Sequence, residues 1–170
     1  VCGDVFASPS VDAVLAGILS VTGKAGCLLI VKNYTGDRLN FGLAAERARA
    51  LGRDVRMVIV DDDIALPDLP QARGLAGTIF VHKIAGHLAE QGADLDTVAS
   101  QARAAASKIW SLGLSLESCT IPGATPDSDA APARIGAHEA ELGLGIHGEP
   151  GVEVIALQPV RALIGLMVDR

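Results

Sequence analysis

The sequence predicts an α/β protein, a parallel-sheet βαβ domain followed by the start of a second α/β domain. Two continuous apolar runs, Gly26-Cys27-Leu28-Leu29-Ile30-Val31 and Arg56-Met57-Val58-Ile59-Val60, are short and bounded by glycine or polar residues, as strands buried on both faces are. Between them, residues 39–51 take helical spacing and stop at Gly52, so strand, helix and strand follow one another in a single crossover unit. Of the 170 residues, 49% are hydrophobic and 20% charged, enough to bury a substantial core.

Composition narrows the function classes. A net charge of −6, with Lys and Arg scattered singly, argues against a nucleic-acid surface, which needs a clustered basic face. Cys2, Cys27 and Cys119 are odd in number and far apart, so they form neither a disulfide framework nor a zinc site and fit a reducing compartment. No charged-then-apolar leader opens the sequence and no apolar run reaches membrane-spanning length, so a soluble, cytoplasmic protein without a membrane partner is expected. Val1-Cys2-Gly3-Asp4 at one end and Met167-Val168-Asp169-Arg170 at the other suggest an excised piece of something longer.

In chain order, VCGDVFASPS is a turn cluster in which Ser8 or Ser10 can cap the helix announced by Val11, Val14, Leu15, Ile18 and Leu19. The first strand runs into a polar loop, Lys32-Asn33-Tyr34-Thr35-Gly36-Asp37, and the second into Asp61-Asp62-Asp63; ligands of such sheets sit at these carboxyl ends. Three carboxylates could hold a divalent cation, but acidic residues also cap helices and solvate loops, and no metal is assigned to them. Residues 74–91 read as a helix carrying His82 and His87, whose five-residue spacing misses the one-face pairing a metal needs, so both are taken as structural or solvent-facing. Residues 95–112 form a second, Ala-rich helix started by Asp94 or Asp96. Residues 114–120 are compatible with a strand, and the Pro- and Asp-rich stretch 122–132 is a long loop of the functional or interdomain kind. A boundary falls here: residues 1–116 make the first domain, incomplete at its N-terminus, and 117–170 begin the second, incomplete at its C-terminus. The second domain carries Glu139 and Glu141, a short strand around 152–157 and a helix from about Pro159.

Gly143-Leu144-Gly145-Ile146-His147-Gly148-Glu149-Pro150-Gly151 is neither a good helix nor a good strand. Its glycines present one imidazole on an open loop, where histidine serves as nucleophile or proton carrier; a surface turn that happens to hold a histidine is the plain alternative. Phosphate-binding signatures are missing: Thr22-Gly23-Lys24-Ala25 lacks the Ser or Thr that follows the lysine of such a loop, and neither GxGxxG nor GxSxG occurs. What remains is the imidazole and, on another loop, Asp37 with Lys32 five residues before it. A neutral imidazole can add to a carbonyl carbon to give a hemiaminal while an acid or base handles the oxygen's proton, and small polyhydroxy ketones suit such a site.

The segments GDVFASPS, LLIVKNYTGDRLNF, VDDDIALP, GTIFVHKIAG and ELGLGIHGEPG, in that order and over nearly the whole chain, resemble the dihydroxyacetone kinase family in its substrate-binding (K) subunit or domain. The resemblance implies that His147 binds dihydroxyacetone covalently as a hemiaminal. It also implies that Lys32, Asp37 and Ser8 contact the substrate, with Asp37 hydrogen-bonding a hydroxyl and acting as base when phosphate is accepted. Glyceraldehyde or erythrulose are related substrates. The chain itself is expected to bind no cofactor; ATP-Mg on a separate all-helical L domain or subunit, or a phosphotransferase relay subunit, is the implied phosphate donor, and a homodimer the implied assembly. The family's glycine-rich GGGSGHEP segment, with a second histidine, would precede GDVFASPS, so the resemblance implies an internal fragment that on its own need not turn over. Two other readings stand beside it: a non-catalytic, ketose-binding regulatory relative, and a receiver-like module holding magnesium at Asp61, Asp62 and Asp63.

Overall fold

Parallel strands need a crossover, and the crossover's helices have to cover the faces the strands leave apolar. The computed structural model describes residues 3–68, 70–117, 119, 123 and 134–170. It divides into two units, Val1–Asp63 with Leu69–Ser111, and Ile64–Asp68 with Leu112–Arg170.

In the first unit, Ser10 caps α1 (Val11–Val21) by accepting from the Ala13 N–H at 3.2 Å, and Val14 and Ile18 point into the core. Strand β1 (Cys27–Lys32) pairs in parallel with β2 (Val55–Val60) from Cys27 opposite Val55 to Lys32 opposite Val60, with α2 (Thr35–Ala50) as the crossover. Alternation along the strands sorts the core. Val55, with Cys27 and Leu29, packs against Val14, Ile18, Ala44, Ala45 and Ala48 of α1 and α2. Val58 and Val60, with Leu28 and Ile30, pack on the other face against α3 (Thr78–Glu90) and α4 (Leu95–Ala106), where Val81, Ala85, Val98, Ala102 and Ala106 are buried.

Four details depart from the sequence reading. Only Val31 of β1 is buried, because among the described residues this strand has a partner on one side only. Helix α2 begins at Thr35, which takes Thr35, Gly36 and Asp37 out of the predicted loop and into its first turn. Helix α3 starts at Thr78 and not at 74, since the Asp62 carboxylate takes the Leu75 and Gly77 N–H groups at 2.7 and 2.8 Å and bends the chain before Gly77. Helix α4, capped by Asp94, stops at Ala106 where 112 is predicted: the chain leaves the helix so that Ser111 can bridge to Asp63 in parallel with β2.

The second unit holds an antiparallel sheet in the order β3 (Leu114–Ser115), β4 (Glu139–Leu142), β5 (Glu153–Ala156), followed by α5 (Val160–Val168). Strand β4 is not in the sequence reading. Strand β3 has two residues where seven are predicted, and the rest of that prediction, like nearly all of the 122–132 loop, lies outside the described residues. Among the described residues no helix is long and apolar enough to cross a membrane.

Candidate functional site

Two clusters of predicted residues emerge, one in each unit. At the carboxyl end of β1, the ladder is extended by Asn33 N–H donating to the Val60 carbonyl at 3.0 Å. Asn33 is buried and bonded on every side: its Nδ2 donates to the Ala72 carbonyl at 2.7 Å, its own carbonyl accepts from Gln71 Nε2 at 2.7 Å, and its Oδ1 accepts from Arg38 Nη1 at 3.3 Å. Gly74 lies over the strand ends so closely that a Cβ there would stand 2.4 Å from the Val60 carbonyl oxygen and 2.9 Å from Lys32 Cβ. The end of β1 is therefore closely packed and fully bonded, and Lys32 projects from it half-buried.

Asp37 occupies the first turn of α2, where the helix dipole stabilises a carboxylate. Ser8 Oγ donates to Asp37 Oδ1 at 2.5 Å, joining two of the predicted site residues. Asn40 Nδ2 donates to the Pro9 carbonyl at 2.8 Å, so the segment before α1 is pinned to α2 by two bonds. Gly36 makes room for this: a Cβ on it would come 2.7 Å from Ser8 Oγ. Phe6 turns the segment with φ 58, a left-handed conformation that costs a side chain about 1 kcal/mol. Sequence reading singled out Ser8, Lys32 and Asp37 but not Asn33, Gly36 or Asn40, whose part is to hold the other three.

The acidic triplet has protein partners. Buried Asp62 accepts from Leu75, Gly77 and the Ser111 hydroxyl, and Asp63 forms a buried ion pair with Arg73 at 2.6 Å, while Asp61 is exposed. These contacts describe a helix cap and a buried pair. Among the described residues no group of three or more His, Cys, Asp or Glu side chains is arranged to hold a metal. His82 and His87 are exposed on α3.

The His147 loop in the second unit connects β4 to β5. Its ends are drawn together by Val152 N–H donating to the Leu142 carbonyl at 2.7 Å, and its start is tied to the residue before β3 by Gly143 N–H donating to the Gly113 carbonyl at 2.7 Å. Inside it, Gly145 N–H donates to the Glu149 carbonyl at 2.9 Å and Gly148 N–H to the Gly145 carbonyl at 3.0 Å. Gly143 and Gly148 have φ of 76 and 85, which explains glycine at both. The imidazole is exposed, and both Glu149 oxygens serve it: Oε1 is 2.9 Å from His147 Nδ1 and Oε2 accepts from the His147 N–H at 3.1 Å. Burial alone would raise the Glu149 carboxyl, but hydrogen bonds from its own N–H, from the imidazole and from the His147 N–H outweigh it and hold the group below the ordinary carboxylate range. An ionised carboxylate only accepts, so the ring hydrogen facing it sits on Nδ1, and in the neutral ring the lone pair is then on Nε2. At the loop's base, Glu141 pairs with Arg134, a contact that nothing in the sequence pattern marks.

The chain is 64% identical over all 170 residues to the dihydroxyacetone kinase of Citrobacter freundii, and it spans 30% of the length of that relative. The crystal structure of a dihydroxyacetone kinase from C. freundii in complex with AMP-PNP and Mg2+ superposes on 99% of this chain, covering 30% of its own, with a TM-score of 0.90 at 62% identity. The dihydroxyacetone-binding subunit of the PTS-dependent dihydroxyacetone kinase 1 of Listeria innocua is 42% identical over the whole chain, which covers 51% of that subunit. A dihydroxyacetone kinase operon co-activator, Dha-DhaQ, has the same fold with a TM-score of 0.85 at 30% identity, over 98% of this chain and 51% of its own. With the Dak1 domain pattern matching residues 1–170, end to end, this chain belongs to the Dak1 domain family.

Proposed function

We propose that this chain is the substrate-binding part of a dihydroxyacetone kinase, and that it captures the ketone on His147 and offers a hydroxyl for phosphorylation. The observation that carries the proposal is the His147–Glu149 contact, which orients the ring and, in its neutral form, puts the hydrogen on Nδ1 and the lone pair on Nε2, on a loop whose backbone is bonded in place. In the proposed step the Nε2 lone pair forms a bond to the carbonyl carbon of dihydroxyacetone or a similar short ketose. The carbonyl oxygen gains a proton as the imidazole, now carrying two substituents, gives up its Nδ1 hydrogen. The result is a neutral hemiaminal, and Glu149 is placed to receive that hydrogen and pass it on.

Asp37 accepts a hydrogen bond from a substrate hydroxyl and takes its proton as the oxygen attacks phosphorus. The Ser8 hydroxyl keeps the carboxylate oriented, and the Lys32 ammonium is proposed to contact the substrate. No phosphate-cradling loop occurs in this sequence. The phosphoryl donor is therefore proposed to be ATP with magnesium held on a separate helical L domain, as suits a relative crystallised with AMP-PNP and Mg2+, or a phosphotransferase relay partner, as suits the PTS-dependent relative.

Intact-protein mass spectrometry of the full-length protein after incubation with dihydroxyacetone tests this. One adduct of substrate mass on His147, absent from His147→Ala, is expected; an adduct that survives in His147→Ala overturns the assignment. The likeness to an operon co-activator favours a second reading, a ketose-binding protein that regulates and does not phosphorylate. An adduct with no turnover on either ATP-Mg or a phosphotransferase relay would select that reading.

A further inference from the structure

Among the described residues of the second unit, Glu141 is the only buried carboxylate, 2% exposed on β4 between Ala140 and Leu142, which are both wholly buried. Its Oε2 accepts from Arg134 Nε at 2.6 Å, and its Oε1 accepts both Arg134 Nη2 and the Gly151 N–H at 2.7 Å. The Arg134 fork is the main cause that holds the Glu141 carboxyl below the ordinary carboxylate range, against its burial. Arg134 is exposed, and an ion pair open to water on one side adds little to stability over an apolar side chain of similar volume, so stability does not account for a charge at this place. What the third bond reaches does. Gly151 lies at the end of the His147 loop, next to Val152, and it is seated where a Cβ would lie 2.2 Å from the Leu142 carbonyl oxygen and 2.8 Å from the Leu144 nitrogen. Gly151 is tied to Glu149 through Pro150, whose ring fixes φ, and Glu149 holds His147 with both of its oxygens.

We infer that Glu141, clamped by Arg134, is a positioning residue for His147: it anchors the end of the loop at Gly151 and so sets the Glu149 carboxylate against the imidazole. This rests on the reading of His147 as the ketone-binding group. The Glu141 carboxylate touches no reacting atom. Its effect travels through one backbone N–H and two loop residues.

The test compares Glu141→Leu with Glu141→Gln in the full-length protein by three measurements: thermal unfolding, 15N shifts of the labelled His147 ring, and the rate of adduct formation with dihydroxyacetone. Glu141→Gln keeps an oxygen for Gly151 and is expected to retain the Nδ1-protonated ring and an adduct rate within about threefold of the parent. Glu141→Leu is expected to unfold with the parent, to show a mixture of the two ring tautomers, and to form the adduct about tenfold or more slowly. A parent-like tautomer and rate in Glu141→Leu overturn the inference, as does Glu141→Gln failing equally. Should Glu141→Leu not fold, Arg134→Met decides it: a mixed tautomer supports the clamp and a parent-like ring overturns it. The ring shifts need no ketose, so a parent protein that forms no adduct counts against the role of His147 and leaves the positioning role to be decided by the tautomer alone.

Discussion

Ser8 donates to Asp37 across 29 positions of sequence at 2.5 Å, the length of a hydrogen bond to a charged oxygen. Such a bond does two things for a base that accepts a substrate proton: it occupies one oxygen, and it fixes the plane in which the other is presented. Asp37→Asn removes the proton acceptor but keeps the shape, so phosphoryl transfer should fall about 10²- to 10⁴-fold while the dihydroxyacetone adduct on His147 still forms. Ser8→Ala leaves the acceptor and removes only its orienting bond, which predicts a loss of about tenfold in kcat/KM. Steady-state kinetics beside intact-mass measurement separates the two steps. Equal loss of adduct and turnover in Asp37→Asn would move Asp37 from proton transfer to binding.

At the scale of elements, the start of α2 gathers much of the first cluster. Thr35, Gly36 and Asp37 read as loop because each is a mediocre helix former and Tyr34 supplies no side-chain cap. Tertiary contacts override that preference: Asn40 and Asp37 both bond the segment before α1, which is too far away in sequence to register in any local window. The same limit hid β4. Glu139-Ala140-Glu141-Leu142 alternates like a strand, yet its second glutamate faces inward because Arg134 and Gly151 come to meet it. The apolar strands β1 and β2 and the exposed histidine were legible, and each helix cap was narrowed to two candidates of which Ser10 and Asp94 do the capping, since short-range periodicity, capping chemistry and glycine spacing act within a few residues. Gly36 gives the element-scale prediction. Alanine there gains helix propensity of about 1 kcal/mol, and its Cβ stands 2.7 Å from Ser8 Oγ, a side-chain atom that can swing aside. Gly36→Ala should therefore unfold at the same or a higher temperature and still lose about tenfold in kcat/KM, matching Ser8→Ala. A drop in melting temperature with unchanged kinetics would assign Gly36 to packing alone.

At the scale of the whole molecule, the chain accounts for 30% of the length of the C. freundii kinase crystallised with a nucleotide analogue and magnesium. Ketone capture needs a nucleophile, a base and orienting groups, the roles proposed above for His147, Glu149, Ser8 and Lys32. Phosphoryl transfer needs in addition a cradle for the nucleotide phosphates and its metal, chemistry for which these residues are poorly suited: the loop at Thr22-Gly23-Lys24-Ala25 lacks the magnesium-facing hydroxyl, and Asp62 and Asp63 are bonded to a helix start and to Arg73. If the two tasks are divided in this way, they should separate on mutation. In the full-length protein, His147→Ala and Asp37→Asn are expected to bind ATP-Mg, measured by equilibrium titration in the absence of ketose, within about twofold of the parent, since neither removes a phosphate or metal contact. The same His147→Ala protein should form no ketose adduct. A loss of nucleotide affinity of about tenfold or more in either variant would place the donor against this chain's own residues and require its strand ends to be read again as part of a phosphate site.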